Sequence, residues 1–206
     1  MSVLIPILMV VSLALNAQGN QQFRAGNYED AERTYRRALT AAIQESGADH
    51  PATAMILGNL AGTEHALGRN SEAEEMALRA LAALVRSVGA GSVLLVPSLN
   101  TLGGVYIDTG RYAQAETALK RAIRLGSRDG GAHYATSLHN LAALYQLKGQ
   151  PDRAEKLYQR ALRLRLRLFG PEDPLTLATA RNIRALDQAS ARFARAAKSK
   201  PENSLR

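Results

Sequence analysis

The sequence predicts an all-α solenoid of repeated helix–turn–helix units, and three observations carry that prediction. Four segments align without gaps: GNYEDAERTYRRAL from Gly26, GRNSEAEEMALRAL from Gly68, GRYAQAETALKRAI from Gly110 and GQPDRAEKLYQRAL from Gly149. Their leading glycines stand 42, 42 and 39 residues apart, a spacing that marks a stacked-repeat architecture. Within each copy the apolar positions recur at helical spacing, as in Ala31, Tyr35, Ala38 and Leu39. Composition agrees: 46% hydrophobic residues can bury a core, while 5% aromatics and no Trp favour helices over a sheet sandwich.

The elements follow in chain order. Val3–Leu15 is nearly all apolar, and two readings of it stay open. In one, it is the first helix of the first unit, because Leu15, Gly19 and Gly26 keep the repeat register; such a helix begins near Val10, which leaves Val3–Met9 surplus. In the other, residues 1–17 are a secretory signal, cut at the small-x-small site Ser12–Ala14 or after Ala17. No Lys or Arg precedes Arg24, so this signal lacks its charged start. The signal reading puts the protein in the periplasm or outside the cell, the helix reading in the cytoplasm.

Residues 18–186 are assigned to the solenoid. Each leading glycine stops a first helix, because Gly tolerates the left-handed conformation that ends one. Eight residues earlier stands Leu60, Leu102 or Leu141, and next to it a small residue, Ala61, Gly103 or Ala142. Each second helix carries Ala at five and twelve residues past the glycine, where two helices must approach closely. Glu follows the first of these alanines in every copy: Glu32, Glu74, Glu116 and Glu155. A partial fifth copy, LATARNIRAL, runs from Leu177 to Leu186. Residues 187–206 read as a basic capping helix with Arg192, Arg195, Lys198 and Lys200, then a frayed end; a solenoid needs such a polar cap.

These residues resemble the tetratricopeptide repeat, through the small residue, the glycine seven on, the aromatic two later and the paired alanines. The long spacing and the FGPEDP connector (Phe169–Pro174) resemble the variant found in kinesin light chains. The resemblance implies a right-handed superhelix whose first helices line a concave groove. It also implies a non-enzymatic protein-interaction module. Some positions depart from the pattern: Asn70 and Pro151 replace the aromatic after the glycine, Ala77 and Leu119 stand where Tyr35 and Tyr158 stand, and Glu64 stands where Tyr106 and Tyr145 stand. The second unit is therefore expected to be the least tightly packed.

No residues point to chemistry. There is no Cys for a thiol, a disulfide or an Fe–S site. His50, His65, His133 and His139 form no metal-binding spacing, and His50 before Pro51 reads as local turn chemistry. The glycine pairs lack the Lys-Ser/Thr of a phosphate loop. The expectation is no enzyme, no cofactor and no metal. No apolar run reaches the ~20 residues that span a bilayer as a helix.

The informative series is polar. Nine residues before successive turn glycines stand Asn59, Thr101 and Asn140, and Asn182 continues the spacing. The leucines beside them supply the core, and Asn is a mediocre helix former. An amide both donates and accepts, so it can hold the backbone of an extended peptide whatever its side chains; the resemblance implies that role. The competing reading is that these amides stabilise helix packing. The peptide-binding set expected on the groove face is Asn59, Asn100, Thr101, His139, Asn140, Arg181 and Asn182, with a protein or peptide partner.

Charge supplies an alternative. Met1–Gly110 holds 7 Lys/Arg and 10 Asp/Glu, whereas residues 111–206 hold 19 and 8. A basic second half can attract an acidic partner or nucleic acid. The lack of aromatic–basic interleaving argues against nucleic acid. The run Arg160, Arg163, Arg165 and Arg167 lies on a second helix and reads as a solvated convex face.

Overall fold

The computed structural model describes residues 4–198, with side chains described over 11–189. Among them nine α-helices and one 3₁₀ turn follow in order: α1 (Leu4–Arg24), α2 (Tyr28–Ser46), α3 (Pro51–Ala66), α4 (Asn70–Val88), the 3₁₀ turn Val93–Leu95, α5 (Val96–Asp108), α6 (Tyr112–Gly126), α7 (Ala132–Leu147), α8 (Pro151–Phe169) and α9 (Pro174–Lys198). Consecutive pairs form four helix–turn–helix units, and α9 is the first helix of a fifth. Each second helix packs on its own first helix and on the next one. First helices also touch along the series, α3 on α5 and α5 on α7, and consecutive second helices have no comparable contact. The layer with the closer spacing is the inner one of a curved stack, so the odd-numbered helices face the groove.

The turns repeat to the level of single hydrogen bonds. Gly26, Gly68, Gly110 and Gly149 all have φ between +68° and +80°, which a side chain would strain. The residue after each glycine donates its N–H to the carbonyl five residues back: Asn27 to Gln22, Arg69 to Glu64, Arg111 to Tyr106 and Gln150 to Tyr145, at 2.7–3.0 Å. This is the Schellman closure, which satisfies carbonyls that the helix end leaves open. Elsewhere, His50 Nδ1 accepts from Ala52 N–H at 3.2 Å and caps α3, as the sequence suggested. Asp173 of the FGPEDP connector accepts from Leu175 and Thr176 N–H and caps α9.

The core runs between the helix layers. Ala31, Ala38, Ala73, Ala80, Ala115, Ala122, Ala154 and Ala161, the two repeated alanines of each unit, are fully buried. The small residue of the first helix fits the partner nine past the glycine. A Cβ on Gly19 would lie 2.6 Å from the Tyr35 ring, and one on Gly103 would lie 2.5 Å from Leu119. In the second unit Ala61 meets the pattern with Ala77, both fully buried. The unit expected to be the least tightly packed is as closed to solvent at this contact as the others.

Glu64 shows why. It is 1% exposed and accepts from Arg36 Nη2 at 2.7 Å and Arg69 Nη1 at 2.9 Å. Arg69 also reaches Glu32 at 3.0 Å. The same clasp joins later units with a tyrosine in place of Glu64. Arg111 pairs with Glu74 through both nitrogens and lies over the Tyr106 ring. Lys148 and Tyr145 both donate to Glu116. The repeated glutamate thus ties the second helix of each of the first three units to the following turn. Hydrogen bonds from Lys120 and Lys148 hold Glu116 down at about 2, and Arg111 holds Glu74 below its usual range.

The N-terminal stretch is part of this packing. Ser12 donates to Glu45, and Leu15 packs on the buried cluster of Ala38, Ala42 and Ile56. Val3, and the side chains of Arg192, Arg195, Lys198 and Lys200 assigned to the cap, lie outside the described residues.

Candidate functional site: the groove face of the first helices

The groove face is built by the odd-numbered helices, and most of its polar side chains are engaged with the next helix in the stack. On α3, Asn59 donates to Asn16 Oδ1 at 2.9 Å and towards Asn20 Oδ1 at 3.4 Å, both on α1. Tyr35 of α2 donates to the same Asn20 at 2.7 Å. Between α3 and α5, His65 Nε2 meets Asp108 Oδ2 at 2.9 Å. It does so by lying across Gly104, where a Cβ would run into the imidazole. Between α5 and α7, Asn100 donates to the His133 carbonyl at 2.9 Å and accepts from Ser137 Oγ at 2.7 Å.

Asn100 and Thr101 are 7% and 8% exposed, so neither is offered to the groove as the sequence suggested. Helix α5 is shared between its own partner, two neighbouring first helices and the preceding second helix, and this buries most of its surface. Thr101 bonds back to Pro97 O within its own helix. A buried amide whose donor and acceptor are both used is a packing device.

The fourth unit differs. His139 of α7 faces Arg165 Nη1 at 3.3 Å and Thr179 Oγ1 at 3.2 Å through Nδ1, and its ring stands edge-on to Tyr158. Burial first, and the Arg165 charge second, hold His139 down at about 4. Arg165 was read as solvated on the convex face; it is 2% exposed instead. It donates to Leu175 O at 2.9 Å and Thr179 Oγ1 at 2.6 Å, and burial lowers it to about 10. The repeat register held the signal that was missed, since the equivalent positions Ala42, Leu84 and Gly126 are all buried.

Asn140 and Arg181 are the two members of the predicted set without a side-chain hydrogen bond to another described residue. Asn140 is half-buried and Arg181 is exposed. Asn182 is half-buried and donates to Tyr158 Oη at 3.1 Å, which leaves its carbonyl oxygen open. Among the described residues no three His, Cys, Asp or Glu side chains are grouped to hold a metal ion. No described helix is long and apolar enough to cross a membrane.

The repeat geometry defines a class, the helix–turn–helix interaction solenoid. The tetratricopeptide repeat family matches residues 10–86, 94–167 and 133–199, and the chain belongs to that family. Proteins of this family generally act as protein-interaction scaffolds and are typically not enzymes. Among solved structures it is similar to BtubC (BKLC) from P. vanneervenii, with 24% identity, a TM-score of 0.64, and coverage of 98% of this chain and 87% of that one. It is also similar to a putative kinesin light chain with nearly identical TPR-like repeats from Podosopora anserina, at 19% identity and a TM-score of 0.62, over 90% and 89% of the two chains. A thermophilic TPR protein of Thermus thermophilus shares 25% identity at a TM-score of 0.56, with 93% of each chain covered. No curated protein matches the sequence.

Proposed function

We propose that this solenoid is a non-enzymatic adaptor that captures an extended peptide segment of a protein partner at the fourth-unit end of its groove. The observation that supports this reading is the contrast along the asparagine series. Asn59 has its amide committed to α1 and Thr101 is bonded within its own helix, while Asn100 beside that series is committed to α7. Asn140 is half-buried with its amide free of side-chain partners among the described residues, and Asn182 keeps its carbonyl oxygen open beside the exposed Arg181. Free donor and acceptor groups on one rigid face suit a peptide backbone. The preformed helix stack limits the ordering needed on binding. His139 has its Nδ1 engaged by Arg165 and Thr179, so any contact it adds comes through the rest of the ring.

The test begins with capture of the partner from the native host and mapping of its bound segment. Calorimetry of that segment then compares the wild-type chain with Asn140→Ala, Asn182→Ala and the double variant. Each lost hydrogen bond weakens binding by about 0.5–1.5 kcal/mol. Stability changes little for Asn140→Ala, because that side chain makes no hydrogen bond to a described residue. Unchanged affinity in the double variant sinks the reading.

A further inference from the structure

A cleft of about 310 Å³ opens where the N-terminal turn of α7 meets the C-terminal half of α8, and it lies on a different face from the groove asparagines. Its walls are Arg160, Arg163 and Arg167, and its floor is Tyr134 and Leu164. No carboxylate lines it. The three arginines stand at successive turns on one side of α8, and all three are exposed. Tyr134 is 8% exposed and accepts from Arg160 Nη2 at 2.7 Å. Its own hydroxyl proton is therefore directed elsewhere.

The rest of the solenoid treats these positions differently. In the second unit Arg79 and Arg86 correspond to Arg160 and Arg167, eleven and eighteen residues past the glycine. Arg79 pairs with Glu75 at 3.5 Å and Arg86 with Asp49 at 2.6 Å. In the fourth unit Lys156 replaces Glu75, and Arg163 replaces the uncharged Ala82. Among the described residues every ion pair lies before Pro151. Of the acids nearby in sequence, Glu155 accepts from Gln159 and Asp173 caps α9, while Asp129, Asp152 and Glu172 do not line the cleft. Three guanidinium groups lining one cleft repel one another, and an anion bound among them relieves that repulsion.

We propose that this cleft binds a compact dianion of the phosphate class, free or carried on a phosphorylated side chain. Each guanidinium offers a planar fork of donors matched to an oxyanion. Three guanidinium groups along one side of α8, with the Tyr134 hydroxyl, suit a tetrahedral group with several terminal oxygens better than a single planar carboxylate. Tyr134 and Leu164 give the arginines a shared, partly apolar depression, open to solvent, that suits one compact anion rather than a long nucleic acid backbone. The site is independent of the groove reading and stands whether or not the groove holds a peptide.

The test uses the full chain labelled at arginine and the Nε–Hε resonances in NMR, at fixed ionic strength in chloride. The probes are inorganic phosphate, a short peptide with one phosphoserine, the same peptide with Glu in that place, and a single-stranded DNA oligonucleotide. Phosphate is expected to shift the Arg160, Arg163 and Arg167 resonances saturably, leaving Arg124 and Arg128 unmoved. A phosphopeptide that binds at least as tightly assigns the site to a phosphorylated partner; one that fails to compete with phosphate assigns it to the free anion. Arg163→Gln with Arg167→Gln should weaken binding by about ten-fold or more, and Arg124→Gln with Arg128→Gln should leave it within two-fold. Unsaturable shifts spread over all arginines overturn the proposal in favour of general counter-ion attraction. Equal affinity for the Glu peptide overturns the phosphate assignment. Tighter binding of the oligonucleotide that survives the Arg163/Arg167 change places the anion surface elsewhere.

Discussion

Lowering the pH from 7.5 to 5 should destabilise this protein through one imidazole. His139 is held down at about 4 by burial and then by the Arg165 charge, whereas an unfolded chain gives it the ordinary value of about 6.5. The unfolded state therefore binds the proton first, and stability rises with pH across the interval between the two values. The contribution is fully present above pH 6.5 and is lost progressively as pH falls towards 4. For a single group with these two values the loss between pH 7.5 and 5 is about 2 kcal/mol. Geometry gives the reason: Nδ1 accepts from Arg165 at 3.3 Å, and a proton there would set imidazolium against guanidinium. His133 is held down in the same direction, by burial and then by Arg24, so the comparison must isolate His139. Urea denaturation of the wild-type chain and of His139→Gln, each at both pH values, does so. The wild type should lose about 2 kcal/mol more than the variant on acidification. Arg165→Met should narrow that difference by raising the His139 value, yet not abolish it, since burial is the larger cause. Equal pH dependence in wild type and His139→Gln would refute the reasoning.

Three other perturbations test the packing. Ala115→Leu or Ala154→Leu inserts bulk at a fully buried helix contact and should cost about 1–3 kcal/mol by thermal or chemical denaturation. Gly104→Ala should push His65 off Asp108, which the loss of the His65–Asp108 contact in a crystal structure and a drop of about 1 kcal/mol would register. A chain that starts at Gln18 loses the Ser12–Glu45 bond, the packing of Leu15 and the Asn16–Asn59 bond; urea denaturation should show a loss of at least about 2 kcal/mol, and an unchanged midpoint would mean that residues 1–17 are dispensable to the fold.

Whatever depends on period could be read from the residues. The glycine spacing set the turns, and the alanines set the close contacts. The burial of Leu60, Leu102 and Leu141 followed from position in the repeat. Burial at Arg165 was also written in the register, through Ala42, Leu84 and Gly126, but the residue's charge suggested solvent instead. Periodicity reports which face of a helix turns inward, and that is a property of one chain segment.

The partner of each polar group became visible only once the helices were packed. Asn59 and Asn140 occupy the same register position, yet one is bonded to α1 and the other makes no side-chain hydrogen bond to a described residue. Glu64 breaks the tyrosine pattern, yet Arg36 from the preceding unit makes its burial tolerable. A hydrogen bond needs donor and acceptor within about 3 Å across two different helices. That distance depends on how far each helix pair rotates and approaches in the stack. Small changes such as Gly103 against Ala142 alter that approach, and the repeat pattern treats both simply as small. The repeat therefore gives the scaffold from sequence alone, while the open amide of Asn140 and an arginine cleft without an ion pair among the described residues emerge only when the helices are stacked.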